Sequence, residues 1–192
     1  LYLAVGENDM VDGHFGNTPG QAIQVADDHA TDILVVDGTS QDDTILVSQS
    51  KAALPQLRID HSSLAAPLLV DWLDPVTHQP LVEQIQIAGL GGDDQLGFAQ
   101  ADPLPGLSAF ALPDPVESGE IDFSSFDAVG ADFFGVVDGN GGDDVLVGSA
   151  ARDRLDGGSG SDVIYGLAGD DRLWGDAGDG FETDLDQLYA GS

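Results

Sequence analysis

The stretch that decides the fold is residues 139–174, which read GNGGDDVLV, GSAARDRLD, GGSGSDVIY and GLAGDDRLW in blocks of nine. Every block has Gly at its first position, Asp at its sixth and an aliphatic residue at its eighth. The third block fits the pattern G-G-x-G-x-D-x-U-x, where U is aliphatic, at every fixed position. A turn-rich linker needs no periodic apolar residue, so four blocks in register indicate a repeated structural unit.

Each block predicts a six-residue turn followed by a three-residue strand. Glycine supplies the positive φ angles and the close backbone approach that a tight turn needs. Only the middle residue of the strand must be apolar, because alternate side chains point to opposite faces. Two blocks then make one coil, so the first block stacks on the third and the second on the fourth. The prediction is an all-β fold with a parallel β-roll, or β-solenoid, over residues 134–192.

The Asp residues of stacked turns predict a bound cation. Stacked carboxylates repel one another unless a cation lies between them. Calcium takes six to eight oxygen ligands and tolerates irregular geometry better than magnesium does. The chain has no Cys, and its four His are scattered, so zinc and copper have no ligand set. Calcium is therefore the expected ion.

The four blocks resemble the RTX, or haemolysin-type calcium-binding, repeat family. That resemblance implies ligands from the second and fourth carbonyls and the Asp of one turn. The first and third carbonyls and the Asp of the turn two blocks later complete the set. One expected site comprises Asn140, Gly142, Asp144, Gly157, Ser159 and Asp162. A second comprises Ser149, Ala151, Asp153, Gly166, Ala168 and Asp171, although Ser149 and Ala151 replace the usual Gly. A third joins Gly158, Gly160 and Asp162 to Gly175 and Ala177, with Asp179 or a water as the last ligand because Gly180 takes the sixth position.

A second, longer repeat precedes the blocks. The form strand, Gly, three residues, Asp-Asp, strand begins its turn at Gly38, Gly89 and Gly139. This spacing of about fifty residues predicts that the three turns stack, with a long excursion of the chain between them. Calcium would then lie between Leu90, Gly92 and Asp94 on one turn and Gly139, Gly141 and Asp144 on the next. A weaker site would pair Asp43 with Asp94. The alternative is that these are Asx-type turns between antiparallel strands.

Residues 1–133 are expected to form a strand-rich region, solenoid-like or sandwich-like, with RTX-like turns at 38–43 and 89–94. The alternation of Leu57 with Ile59, and of Leu69 with Asp71 and Leu73, favours strands in the first excursion. Trp72 is expected to pack in a core. The chain starts at Leu1 and stops at Ser192, in or just after a repeat, so we expect both ends to be cut or processed.

Charge limits the classes of partner. The net charge is −30, from 35 acidic and 5 basic residues, and only five of the acidic residues are Glu. Such a charge opposes compaction without metal and leaves no basic patch for nucleic acid or an anionic membrane. Yet 42% of residues are hydrophobic, too many for a solvating acidic tail. No apolar run reaches transmembrane length.

No catalytic motif accompanies the repeats. The chain lacks G-x-S-x-G, H-E-x-x-H and a phosphate-binding loop, and its Asp-Asp pairs recur with the repeat, as metal ligands would. The expected function is a non-enzymatic, calcium-binding structural module of a secreted or cell-surface bacterial protein, with an adhesin, stalk or matrix role. Its partners would be calcium and neighbouring modules or further copies end to end. One alternative is the subunit of a calcium-stabilised extracellular filament, and another is the tail of a secreted hydrolase.

Overall fold

The computed structural model describes residues 23–24, 32–122, 133–176 and 185–191. These residues form strands joined by turns and one short 3₁₀ turn, so the predicted all-β class is confirmed. The strands are β1 (Ile23–Gln24), β2 (Ile33–Asp37), β3 (Thr44–Ser50), β4 (Leu57–His61), β5 (Leu68–Asp71), β6 (Gln84–Ala88), β7 (Gln95–Phe98), β8 (Ser118–Gly119), β9 (Gly135–Asp138), β10 (Val145–Val147), β11 (Asp153–Gly158), β12 (Val163–Tyr165), β13 (Arg172–Asp176) and β14 (Gln187–Tyr189), and the 3₁₀ turn is Ser108–Phe110.

The strands belong to two sheets, between which the chain alternates. The long sheet has the order β1-β5-β4-β3-β7-β10-β12-β14, with β8 beside β3. The short sheet has the order β13-β11-β9-β6-β2, and all its described pairs are parallel. From β9 to β14 each successive strand lies in the other sheet. Val145 pairs with Val163 and Arg154 with Arg172, so strands two blocks apart are neighbours, as the nine-residue period predicts.

The fifty-residue spacing also corresponds to stacking. In the short sheet β2 pairs with β6 and β6 with β9, all parallel. In the long sheet β3, β7 and β10 pair in the same order and the same sense. The prediction of stacked turns is therefore confirmed, and the alternative of turns between antiparallel strands is wrong at these positions. Both sheets continue across residue 133, since β6 and β7 precede it and their partners β9 and β10 follow it.

The core lies between the two sheets and is built from the eighth position of each block. Strand alternation turns this residue inward, while the residues on either side of it face outward. Leu173 of the fourth block is only partly buried and packs against the cluster of the other inward residues. Those fully or almost fully buried residues are Val36, Ile87, Val137 and Leu155 from the short sheet and Ile45, Leu96, Leu146 and Ile164 from the long sheet.

The first excursion covers one end of the long sheet. Strands β4 and β5 pair antiparallel with β3 and with each other, so they extend the sheet beyond its repeating part. The alternations at Leu57 and at Leu69 predicted strands, and β4 and β5 confirm them. Strand β4 buries Leu57 and Ile59, and β5 with its continuation buries alternate residues. Those buried residues are Leu68, Val70 and Trp72, and the last confirms the expected core role.

The second excursion packs on the outer face of the long sheet. Leu107 and Phe110, in and before the 3₁₀ turn, are buried in a cluster with Leu46 and Val147. Leu46 and Val147 follow inward-facing residues, so they point away from the core between the sheets. This cover explains why β10 has apolar residues on both faces. Among the described residues, no helix is long and apolar enough to cross a membrane.

Replacing Leu96 by Ala should destabilise the chain by about 2–5 kcal/mol, because the side chain is fully buried and its removal leaves a cavity. Urea unfolding in calcium-containing buffer measures the change. The matched control is Gln95→Ala, one residue earlier on the same strand and only partly buried. Equal midpoints for the two variants would show that the eighth position does not form the core.

Candidate metal centre

Turns that lead from the short sheet to the long sheet stack along one edge of the molecule, which we call the aspartate edge. They comprise residues 38–43, 89–94, 139–144 and 157–162, and Gly175 and Asp186 lie next along the same edge. Backbone hydrogen bonds hold them in register: the Gly92 N–H donates to the Gly141 carbonyl at 3.0 Å, and the Gly142 N–H to the Ser159 carbonyl at 2.9 Å. On the opposite edge, residues 148–153 and 166–171 form the corresponding turns.

The sixth-position Asp residues form a ladder along the aspartate edge. One carboxylate oxygen, Oδ1, of each Asp accepts the backbone N–H of the Asp in the preceding turn. The donor–acceptor distances are 2.7 Å for Asp43 to Asp94, 2.7 Å for Asp94 to Asp144, 2.9 Å for Asp144 to Asp162 and 3.0 Å for Asp162 to Asp186.

The second carboxylate oxygen is buried without a partner at three steps of this ladder. Oδ2 of Asp94, Asp144 and Asp162 accepts no hydrogen bond, although each residue is at most 1% exposed. A buried carboxylate oxygen that lacks a hydrogen bond is costly, and buried charges in proteins are normally paired or bound to metal. These three atoms therefore mark positions where a cation would compensate the lost hydration.

The residues at the fifth position form a second row of hydrogen bonds of opposite direction, in which each backbone N–H donates to an Asp of the preceding turn. The N–H of Asp93 donates to Oδ1 of Asp42 at 3.1 Å, and the N–H of Asp143 to Oδ1 of Asp93 at 3.0 Å. The N–H of Ser161 donates to Oδ1 of Asp143 at 2.9 Å. The ladder and this second row give the Asp-Asp pairs a structural role, because each turn is tied to the turn before it and to the turn after it.

Glycine at the first position leaves the space that these oxygens face. A methyl group on Gly139 would collide with Asp144 Oδ2 and with the carbonyl oxygen of Gly157 in the next turn. Gly89 has the same relation to Asp94 Oδ2 and the Gly139 carbonyl. Each gap between turns thus brings an Asp oxygen and a main-chain carbonyl oxygen to one place beside a residue that has no side chain.

Burial of the ladder makes its charges unfavourable in the metal-free chain. Burial, and then the charges of Asp94 and Asp162, raise the pKa of Asp144 to about 7. Burial likewise raises the pKa of Asp94 to about 6 and that of Asp162 to about 6. The backbone hydrogen bonds lower these pKa values without overcoming the burial. The ionised carboxylates therefore have no positive charge beside them to compensate their own, and a divalent cation would supply it.

Two turns differ, because a hydroxyl group fills the place beside the Asp. Thr39 donates its backbone N–H and its hydroxyl to Asp43 Oδ2 at 2.6 and 2.7 Å. On the opposite edge, Ser149 donates its N–H to Asp153 Oδ2 at 2.6 Å and its hydroxyl to the same oxygen at 2.9 Å. Burial still raises the pKa of Asp153 to about 7. Both carboxylates are nonetheless fully hydrogen-bonded by the protein.

The structure brings the residues of the first predicted site together. Asn140 has a φ of 68°, and its carbonyl accepts the Ser159 N–H at 2.9 Å across the gap. The Ser159 carbonyl in turn accepts the Gly142 N–H. The Asn140 carbonyl also accepts the Ser159 hydroxyl at 3.3 Å, whereas the Ser159 carbonyl keeps one of its two lone pairs free. Gly157 and Asp162 lie in the same gap, as the contacts of Gly139 and Asp144 show.

The other predicted sites are placed as follows. Ala151 lies against Gly169 and Gly166 against Gly148, so the turns of Ala151 and Ala168 stack, and the N–H of Asp153 donates to Oδ1 of Asp171 at 2.9 Å. For the third site, Gly158 and Gly160 lie over Asn140 and Gly142. Ala177, Asp179 and Gly180 lie outside the described residues.

Asp186 takes the ladder position for which the sequence analysis expected Asp179 or a water. It occupies the sixth position of the last turn, because its Oδ1 accepts the Asp162 N–H and Val163 pairs with Gln187. Its Oδ2 lies where a side chain on Gly175 would be, as at the other turns. The available signal was the return of the Asp-x-aliphatic half of the block at Asp186 after an insertion.

The donor set fits calcium. Among the described residues, no three His, Asp or Glu side chains converge on one point, so a cation would draw many of its ligands from main-chain carbonyls. Carboxylate and carbonyl oxygens are the ligands of a hard cation, and calcium accepts irregular arrangements of six to eight of them. The buried Oδ2 atoms supply the negative charge.

Comparison with known families agrees with this chemistry. The family model for the RTX calcium-binding nonapeptide repeat, which spans four copies, matches residues 130–164, 138–173 and 147–182. Residues 130–182 are therefore RTX repeats, and such repeats bind Ca²⁺. No curated protein and no solved structure matches the chain.

The metal-free chain should become less stable as the pH rises from about 4 to 7. Unfolded Asp has a pKa of about 3.9, whereas the ladder pKa values are raised to about 6 and 7, so the folded chain binds more protons in this window. Urea midpoints at pH 5 and pH 8 in chelator test this. Asp144→Asn should reduce the difference and Asp102→Asn, which removes an exposed charge, should not. A midpoint that rises towards pH 8 would contradict the account.

Gly139→Ala should weaken calcium binding at least tenfold, because the added methyl group collides with two oxygens that face the gap. The matched control is Gly91→Ala, whose methyl group would meet only the Gly141 carbonyl, at 3.7 Å. Calorimetric titration compares the two. Equal affinities would show that calcium does not lie beside Gly139.

Proposed function

We propose that this chain is a calcium-stabilised β-roll module with a structural role in a secreted or cell-surface bacterial protein. The observation that carries the proposal is the row of buried, unpartnered Oδ2 atoms of Asp94, Asp144 and Asp162. From β9 to β14 the chain alternates between two sheets whose neighbouring strands there are parallel, and this supports the β-roll because each pair of strands with its two turns makes one coil.

Within the RTX repeats, calcium would lie between the turns 139–144 and 157–162. The Asp144 and Asp162 carboxylates supply charge, and main-chain carbonyls supply the other oxygens. The proposed ligands are Asn140, Gly142 and Asp144 of one turn and Gly157, Ser159 and Asp162 of the next.

Calcium binding would be coupled to folding. The ligands come from turns that are adjacent only when the strands are stacked, so the unfolded chain has no preformed site. A ligand that binds only the folded state stabilises it in proportion to the logarithm of its concentration. Extracellular calcium modules have dissociation constants of about 10⁻⁴–10⁻³ M. The chain would then be loosely folded at cytosolic calcium and would fold and stiffen outside the cell.

The boundary predicted between residues 133 and 134 separates two regions to which we assign different roles. Both sheets and the core cross it. We propose that the region before it covers the stack, through β4, β5 and the residues around Phe110, while the region after it carries most of the calcium. RTX repeats are typical of secreted proteins, which supports an extracellular adhesin, stalk or matrix module without catalytic activity.

A second candidate, a filament subunit, is favoured by the last described strand. Leu188 stands in register with the fully buried Ile164, yet it is 45% exposed. Nearby Leu185 is 80% exposed. Apolar residues at the edge of a parallel sheet favour pairing with a further strand, and a second copy could supply it. At the other end of the repeating part, antiparallel β4 already occupies the edge of β3.

A calcium titration of the chelated chain tests the proposal, with far-UV circular dichroism and light scattering recorded on the same samples. The expected result is a calcium-dependent gain of β signal at constant mass, which Asp144→Asn shifts to higher calcium and Asp102→Asn does not. Magnesium at the same concentration should give a smaller gain, because it demands octahedral geometry.

A gain of signal with rising mass would favour the filament instead. A chelated chain that is already fully folded and takes up no calcium would contradict both candidates.

A further inference from the structure

The second position of each turn falls into two structural classes. Leu90, Asn140 and Gly158 on the aspartate edge have φ values of 75°, 68° and 98°, and Leu167 on the opposite edge has a φ of 71°. Thr39 and Ser149 are not among the described residues with positive φ, and their side chains turn back to the Asp four residues later. The two classes correspond to the two states of the Asp Oδ2 atom.

Where the second residue is left-handed, Oδ2 is unpartnered. This holds for Asp94 after Leu90, for Asp144 after Asn140 and for Asp162 after Gly158. Where the second residue is Thr or Ser, Oδ2 accepts both its N–H and its hydroxyl, as Asp43 and Asp153 do. The correspondence holds for these five Asp residues.

The geometry around the first-position glycines shows that the gaps beside the two classes of turn are equivalent. Beside Gly89 the nearest atoms are Asp94 Oδ2 and the carbonyl oxygen of Gly139. Beside Gly148 they are the Gly166 carbonyl oxygen and Asp153 Oδ2, at 2.6 and 2.8 Å from the place of a side chain. The same two kinds of oxygen meet in both gaps. In the second gap a hydroxyl group already satisfies the carboxylate.

We propose that the second residue of each turn decides whether a calcium ion or a side-chain hydroxyl group contacts the Asp Oδ2 atom. By this rule a calcium ion lies between the turns 89–94 and 139–144, outside the matched repeats. Its ligands would be the carbonyls of Leu90 and Gly92 with Asp94, and the carbonyls of Gly139 and Gly141 with Asp144. In the gaps beside Asp43 and Asp153, the hydroxyls of Thr39 and Ser149 replace the ion. This inference rests on the proposed calcium function.

The buried state of Asp94 supports an ion there. The residue is 1% exposed, and its Oδ1 is already used by the Asp43 N–H at 2.7 Å. The turns are held together by the Gly92–Gly141 and Asp94–Asp144 hydrogen bonds, as in the repeats themselves. Leu90 is 54% exposed, so packing does not account for its left-handed backbone.

The proposal changes two expectations from the sequence. No ion is then expected between Asp43 and Asp94. None is expected in the second predicted site either, where the Ser149 hydroxyl contacts the Asp oxygen; that site comprised Ser149, Ala151, Asp153, Gly166, Ala168 and Asp171. Calcium then lies on the aspartate edge. The ion beside Asp94 joins turns that are fifty residues apart, so it ties the region before residue 134 to the repeats.

Exchange of the second residues tests this directly. Leu90→Thr should lose one calcium ion per chain relative to the unchanged chain and remain folded, because the new hydroxyl can close on Asp94 as Thr39 closes on Asp43. Ser149→Gly should gain one ion, because Gly adopts positive φ readily and frees Asp153 Oδ2. Native mass spectrometry in calcium counts the ions, and circular dichroism checks the fold.

Paired Asp variants supply the control. Asp94→Asn should lose one ion, whereas Asp43→Asn should leave the number unchanged. An unchanged ion count in both Leu90→Thr and Ser149→Gly, in a chain that does bind calcium, would overturn the selection rule and leave the calcium function intact. If the unchanged chain binds no calcium, the proposed function itself fails. Should Leu90→Thr not fold, Ser149→Gly decides the matter alone, since it leaves the other gaps untouched.

Discussion

Burial of stacked carboxylates is the constraint on which this structure depends. Asp94, Asp144 and Asp162 are almost fully buried, and each uses one oxygen to hold the turn before it. The other oxygen has no protein partner. Burial and the neighbouring charges raise the pKa of each carboxylate, so the metal-free ladder loses stability as its protons dissociate. A divalent cation between the turns removes the same penalty at neutral pH, and this links calcium to the fold.

The rest of the chain brings these carboxylates into register and keeps them there. Inward aliphatic residues from both sheets form the core, and the glycines at the first position let an Asp oxygen and a carbonyl oxygen meet. The two excursions cover surfaces that a repeating stack would leave exposed. Strand β4 occupies the edge of β3, and Phe110 with Leu107 covers the outer face of the long sheet. The excursions thus complete the stack, while the turns carry the ligands.

Much of this arrangement could be predicted from periodicity. The nine-residue pattern predicted the strands, their pairing two blocks apart and the buried eighth position, because strand alternation follows local sequence. The spacing of Gly38, Gly89 and Gly139 predicted stacking over fifty residues. The Asp-x-aliphatic half of the block returns at Asp186, but the insertion before it hid its place in the ladder, so Asp179 or a water was expected there. The bonds of Thr39 and Ser149 were also missed, since they depend on backbone conformation at one residue.

The most direct test of the account is the free energy of unfolding measured by urea titration across a series of free calcium concentrations. Above the dissociation constant, each tenfold rise in calcium should add about 1.4 kcal/mol for every ion bound only by the folded chain. The account predicts a slope that corresponds to more than one ion, which Asp144→Asn reduces. A free energy of unfolding that does not change with calcium would contradict it, because the buried ladder would then be stable without a cation.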